Sequence, residues 1–289
     1  MSLPVFDVIR VTFKRANEDR IGNHAITISY FALLCSIPVA ALFAYVSTKI
    51  LGDPEYAFRS LNIFSEEFFA QIDPLFLKKV QSVPLYISNL GLFGIIGSFV
   101  AASFLFSRLI NSINFIFKAQ YQKSFFYNRL MEYILMFIIG VIMLISLSIT
   151  AIWTAIHRSI RSSAFVADHI NPEFVSLMNN FFLQYLIPYT LTFLVIFVIY
   201  KFIPEIKVYT KAALLASSII ALLWEIFKRV FAYYVAHFSA IGVVLDQLVK
   251  GTLTSIIFFL LWITFSLILL LLGAELATVL NERMHEQKA

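Results

Sequence analysis

Residues Gly251 to Ala274 read GTLTSIIFFLLWITFSLILLLLGA, twenty-four in a row without Asp, Glu, Lys or Arg. At 1.5 Å per residue, roughly 20 such residues cross the roughly 30 Å hydrocarbon core of a bilayer as one helix. Four other stretches are equally free of charge: Ile21 to Thr48, Val80 to Ser107, Tyr133 to His157 and Phe174 to Tyr200. A sixth, Lys211 to Phe238, is as long but carries Glu225, Lys228 and Arg229 inside it. The expectation is an all-α integral membrane protein, a bundle of six transmembrane helices.

Composition agrees: 60% of the 289 residues are hydrophobic and 13% charged, where a soluble domain has about 45 to 50% apolar and about 25% charged residues. The first span is too long for the cleaved apolar region of a signal peptide and is expected to be a retained helix. Cys35 is the single cysteine and lies within that span, so no intrachain disulfide can form.

The net charge of +5 is spread over the loops rather than gathered in a patch, so no nucleic acid is expected as a partner. Membrane topology accounts for it, since Lys and Arg accumulate in cytoplasmic loops. With both termini inside, the cytoplasmic segments hold twelve: Arg10, Lys14, Arg15, Arg20, Lys118, Lys123, Arg129, Lys201, Lys207, Lys211, Arg283 and Lys288. The outer segments hold seven: Lys49, Arg59, Lys78, Lys79, Arg158, Arg161 and Lys250.

The organisation expected is a cytoplasmic amphipathic segment over 1–20, a transmembrane domain over 21–280 and a cytoplasmic tail over 281–289. Phe6, Ile9 and Phe13 share one helical face in the first segment, which suits a helix lying in the membrane interface. Leu51 to Gln81, the first external loop, is rich in aromatics and is expected to be helical. Six spans divide into two sets of three, the arithmetic of an inverted repeat, with Ile37-Pro38 and Ile187-Pro188 opening the halves. Pro38, Pro188 and Pro204 are the expected helix breaks.

The charged span can be weighed. Eleven Leu, Ile, Phe or Val residues between Ala212 and Val235 contribute roughly −5 kcal/mol to insertion, against roughly +9 kcal/mol for three central charges. This helix must turn its charges toward other helices, where Glu225 can pair with Lys228 at i+3 and Arg229 at i+4. One positive charge is left over. Such a cluster either lines a pathway or holds the bundle together as a self-neutralised pair. In the second span Ser107, Asn111 and Asn114 form a polar stripe beside Arg108 and Ser112, which either binds neighbouring helices or lines the same pathway, and Arg108, more than twenty residues into the span, can instead snorkel to the cytoplasmic interface. Glu275, at the inner end of the last span, could partner Arg108 or a loop lysine.

The five histidines, His24, His157, His169, His237 and His285, are dispersed and make no metal-ligand spacing, and no phosphate-binding glycine loop or nucleophile elbow occurs. Catalysis, a metal and a cofactor are not expected.

Tyr30-Phe31-Ala32-Leu33-Leu34 with Ile37-Pro38, Tyr200-Lys201-Phe202-Ile203-Pro204, Leu223-Trp224-Glu225 with Lys228, Phe231 and Tyr234, and the closing Leu261-Trp262 and Leu272-Gly273-Ala274-Glu275-Leu276 resemble the YihY/BrkB family of bacterial inner-membrane proteins. The resemblance runs from about residue 15 to 280; Lys250-Gly251 departs from the family's usual Tyr-Gly. It implies a six-helix protein of the bacterial cytoplasmic membrane, suspected of transport, linked in one branch to serum resistance and once labelled a ribonuclease. No acid-base or metal set supports the last. The function expected is a transporter or permease for a small anionic solute, with Arg108, Asn111, Asn114, Glu225, Lys228, Arg229 and Glu275 along its pathway. A scaffold that binds membrane lipids or a partner protein is the alternative, and a homo-oligomer is compatible with either.

Overall fold

A computed structural model describes residues 5–35, 91–119, 126, 129–135, 137–138, 141, 186–238 and 252–286. These contain seven helices and, among the described residues, no strand. They are α1 (Val5–Glu18), α2 (Ile21–Cys35), α3 (Gly91–Ile116), α4 (129–135), α5 (Ile187–Phe202), α6 (Thr210–Phe238) and α7 (Thr252–Glu286).

Three of them contain stretches long and apolar enough to cross a membrane, Phe99–Ile116, Thr210–Tyr234 and Ile256–Glu286. The described parts of the first and fourth expected spans, Ile21–Cys35 and Ile187–Phe202, are shorter apolar helices. The described elements are therefore all helical, with three long and apolar enough to cross a membrane. The expected Pro38 break and the expected helix in the loop Leu51 to Gln81 lie outside the described residues. So does most of Tyr133 to His157.

Helix α7 is the hub, packing against α6, α1, α3 and α5, while α6 also lies along α5. The contact is made by small residues: Ala213, Ala216, Ser217 and Ala221 of α6 and Ala274 and Ala277 of α7 have no exposed surface. With lipid outside, helices gain nothing from hiding large apolar side chains from solvent, and close backbone approach decides which faces meet. The opposite face of α6 carries Leu215, Ile219, Leu222, Ile226 and Val230, all exposed, at the i, i+4, i+7 spacing of one helical stripe. Helix α2 repeats the pattern with Ile26, Tyr30 and Leu34 outward.

Gly273 shows the tightest of these contacts. A Cβ there would collide with the Tyr200 hydroxyl and Ile220 Cγ1. Only glycine admits the Tyr200 ring, whose hydroxyl donates to the Leu270 carbonyl at 2.6 Å and is fully buried. The Tyr200 and Gly273 segments, 73 residues apart in sequence, meet at one joint.

The ends of several elements gather at one end of the bundle. Arg15 of α1 holds Glu282 of α7 at 2.8 Å. The Glu205 N–H donates to Asn114 Oδ1 at 3.0 Å, the Tyr209 N–H to Asn281 Oδ1 at 2.7 Å, and Asn281 Nδ2 to the Lys207 carbonyl at 3.3 Å. Lys201 Nζ adds a bond to the Val208 carbonyl at 2.5 Å. The connection 203–209 is thus tied by side chains of α3, α5 and α7. Arg20 and Lys118 close α1 and α3 in the left-handed region, with φ of 48° and 51°; there a non-glycine residue is uncommon and serves to end a helix.

Candidate functional site: a polar cleft between two helices

On α2, Asn23, His24 and Thr27 fall at i, i+1 and i+4, so they share a face; on α3, Arg108, Asn111, Ser112 and Phe115 fall at i, i+3, i+4 and i+7. Together with Ile28 these residues line a cavity of about 370 Å³ between the two helices. The helices are joined around it. His24 Nδ1 and Ser112 Oγ share a hydrogen bond of 3.0 Å, the His24 ring lies 5.1 Å from that of Phe115, and the Cys35 thiol donates to the Ala101 carbonyl at 2.8 Å. Thr27 spends its hydroxyl proton on the Asn23 carbonyl at 2.9 Å, leaving its oxygen free to accept.

Arg108 sits inside the candidate span Phe99–Ile116. Its guanidinium lies over the Phe31 ring, 5.4 Å from the centroid, an arrangement worth about 0.5 to 2 kcal/mol. Among the described residues no carboxylate lines the cleft. Its polar groups are a cation, two amides, two hydroxyls and an imidazole, a set that can bind negative charge and offers no acid-base pair of carboxylates.

The other residues singled out from the sequence go elsewhere. Glu225 meets Lys228 at 2.6 Å, both side chains under one-fifth exposed, as the i+3 spacing predicts. Arg229 is exposed on the neighbouring face of α6. Asn114 belongs to the tie on the connection 203–209, and Glu275 lies fully buried in α7, where it feels the charges of Asp19, Arg15 and Lys118. Neither oxygen of Glu275 has a hydrogen-bond partner among the described residues. Pro188 stands in the first turn of α5 and Pro204 just beyond its end; a missing N–H costs little at the first, and the second cannot continue the helix. The structure thus brings Arg108 and Asn111 together and leaves Asn114, Glu225, Lys228, Arg229 and Glu275 out of the cleft.

Two polar groups escaped the sequence reading. The cleft's α2 wall shows in the sequence only as Asn23, His24 and Thr27 at helical spacing, a weak signal because the partner of His24, Ser112, lies 88 residues away. The second is buried: Ser103 Oγ donates to Glu132 Oε2 at 2.8 Å, and Arg129 meets the same oxygen at 2.7 Å. Glu132 is 3% exposed, so α3 and α4 are joined by an internally neutral triad. At the bundle end, the hydrogen bond to Glu282 holds the Arg15 guanidinium above its ordinary range, outweighing burial, which lowers it. A raised pKa on a cation means its stabilising charge is present at every pH below that range, so this strut stays ionised under all ordinary conditions.

Residues 12–289 match the model of the family described as Virulence factor BrkB. A UPF0761 membrane protein of Vibrio campbellii is 24% identical over 275 residues, 94% of this chain and 81% of that protein. One from Acinetobacter baylyi is 26% identical over 286 residues, 96% of this chain and 62% of the other. A third, from Vibrio cholerae serotype O1, is 25% identical over 281 residues, 96% and 87% of the two chains. These relatives are named as membrane proteins and none by an enzymatic activity. No solved structure matches.

Proposed function

The chain belongs to the Virulence factor BrkB family of membrane proteins, and from that premise we propose that it is a multi-pass transporter or permease of the bacterial inner membrane, carrying a small anionic solute past Arg108 and Asn111. The observation that carries this reading is the polar cleft of about 370 Å³ beside a membrane-crossing stretch of α3. Polar groups at that depth are costly, and those that face a cavity mark solute pathways by default. Two other charged pairs have internal partners, Glu225 with Lys228 within α6 and Glu132 with Arg129 and Ser103 between α4 and α3, which supports a structural role for them.

Both termini are cytoplasmic in this reading. It is supported by the contact of α1 with the end of α7, which puts residues 15 and 282 at the same end of the bundle as the connection 203–209; these are the segments with the excess of Lys and Arg. The test is flux through proteoliposomes. The Arg108→Gln and Asn111→Ala chains should carry the native solute at least about tenfold more slowly, the size of losing one charge-assisted hydrogen bond. Unchanged flux of every solute that the native protein moves would remove the cleft from the pathway.

One observation favours a second reading, a scaffold on lipid. Phe6, Ile9 and Phe13 of α1 point away from the bundle with Arg10 and Lys14 exposed beside them, a face suited to a membrane surface. If the Phe6→Ser, Phe13→Ser chain lost function in cells while every cleft substitution kept it, this reading would replace the first.

A further inference from the structure

Arg108 is held in place by an aromatic ring and not by an acid. Among the described residues no carboxylate lies within ion-pair distance of it, and none lines the cleft. Arg108 is exposed on α3; a guanidinium at the centre of a membrane-crossing stretch costs roughly 2.5 to 3.5 kcal/mol to insert, and an exposed cation–π contact of about 0.5 to 1 kcal/mol returns only part of that. The polar groups around it are the Asn23 and Asn111 amides, the Thr27 and Ser112 hydroxyls and the His24 ring. The Asn23 and Asn111 amides can donate to an anion, while Ile28 and Phe115 supply an apolar wall. In α6 the same cost is met differently, with Glu225 supplied four residues before Arg229 and three before Lys228.

From this difference we infer that the cleft between α2 and α3 is a binding site for a monoanionic oxyanion, a phosphate ester or carboxylate, whose charge completes Arg108. The planar guanidinium fork takes such a group through two parallel hydrogen bonds. The Asn111 amide, one turn along the same helix, provides a further donor. A cavity of about 370 Å³ sits at the small end of the range for ligand sites, so the occupant is a small solute or the headgroup of a single lipid. The inference deepens the transport reading, yet it concerns binding and is tested without flux.

The experiment uses the full chain in nanodiscs. In the first arm the discs contain only zwitterionic phosphatidylcholine, and inorganic phosphate is titrated in while its 31P linewidth is followed. In the second arm phosphatidylglycerol is added to the discs, and the lipid retained by the protein after release from the disc is counted by native mass spectrometry. Binding is expected in at least one arm, weakened at least about tenfold by Arg108→Gln, the size of one lost charge-assisted contact. Arg108→Lys, which keeps the charge but loses the fork, should fall between. Asn111→Ala, at an exposed position, keeps the test sound should Arg108→Gln fail to fold, and should weaken binding by a smaller factor. Phosphate binding identifies a soluble oxyanion, and phosphatidylglycerol retention identifies a lipid headgroup; either supports the site. No binding in both arms, or binding that Arg108→Gln and Asn111→Ala leave unchanged, overturns it. Loss of binding in Arg108→Gln with native flux retained would keep the site and refute its place in transport.

Discussion

The joint of α5, α6 and α7 and the cleft of α2 and α3 solve the same problem in opposite ways. Both place polar atoms in or beside stretches long and apolar enough to cross a membrane. At the joint most of them are spent internally, Tyr200 on the Leu270 carbonyl, Glu225 on Lys228, Asn281 on the backbone of Lys207 and Tyr209, although buried Glu275 of α7 has no hydrogen-bond partner among the described residues. In the cleft Arg108 and Asn111 are left facing a cavity. A satisfied polar group fixes helix against helix, whereas one left facing a cavity carries a cost that a ligand can relieve. Position within the span therefore does not separate function from structure. The presence of a partner does.

The sharpest way to break this contrast is Lys228→Met. If the pair is closed, its loss strands Glu225 and should cost about 3 to 5 kcal/mol, read by SDS-driven unfolding in mixed micelles. Adding Glu225→Leu should restore most of it; a cost below about 0.5 kcal/mol, the range of surface changes, would return this pair to the list of pathway groups. Gly273→Ala comes next, at about 1 to 3 kcal/mol for overpacking, because its methyl must displace Tyr200 and Ile220. Combining it with Tyr200→Ala should cost less than the two changes added separately, since the ring it displaces is gone.

Asn281→Ala leaves the Tyr209 N–H without its acceptor and should cost about 1 to 2 kcal/mol, with faster hydrogen exchange confined to residues 203–209 as the readout. The smallest effect on stability belongs to Arg108→Gln. It should cost no more than about 1 kcal/mol, the size of the exposed cation–π contact with Phe31 that it removes, while weakening oxyanion binding at least about tenfold. A large loss of stability there would mean that Arg108 is structural and would erase the distinction drawn between the two regions.

Much of the joint could be read in advance. Glu225 and Lys228 are three residues apart on one helix, so their pairing follows from helical geometry alone, and the structure has it at 2.6 Å. The same local logic marked Arg108 and Asn111 as one face of α3. It could not tell which face of α3 meets which helix. Asn114, on the same polar stripe, was expected along the pathway and instead ties the connection 203–209, because the helix carries it past the cleft and onto the backbone of Glu205. His24 was passed over, since its partner Ser112 is 88 residues away.

By itself the sequence determined that this is a helical membrane protein, that one span cannot face lipid unaided, and that Glu225 pairs on its own helix. These follow from run length, transfer free energy and the 3.6-residue period, which act within a single segment. Only the tertiary structure decided that Gly273 exists to admit Tyr200, that Glu275 is buried away from Arg108, and that Arg108 opens on a cleft rather than on an acid. Each of those depends on the packing of helices far apart in the chain, where the small residues that allow close approach choose the faces that meet.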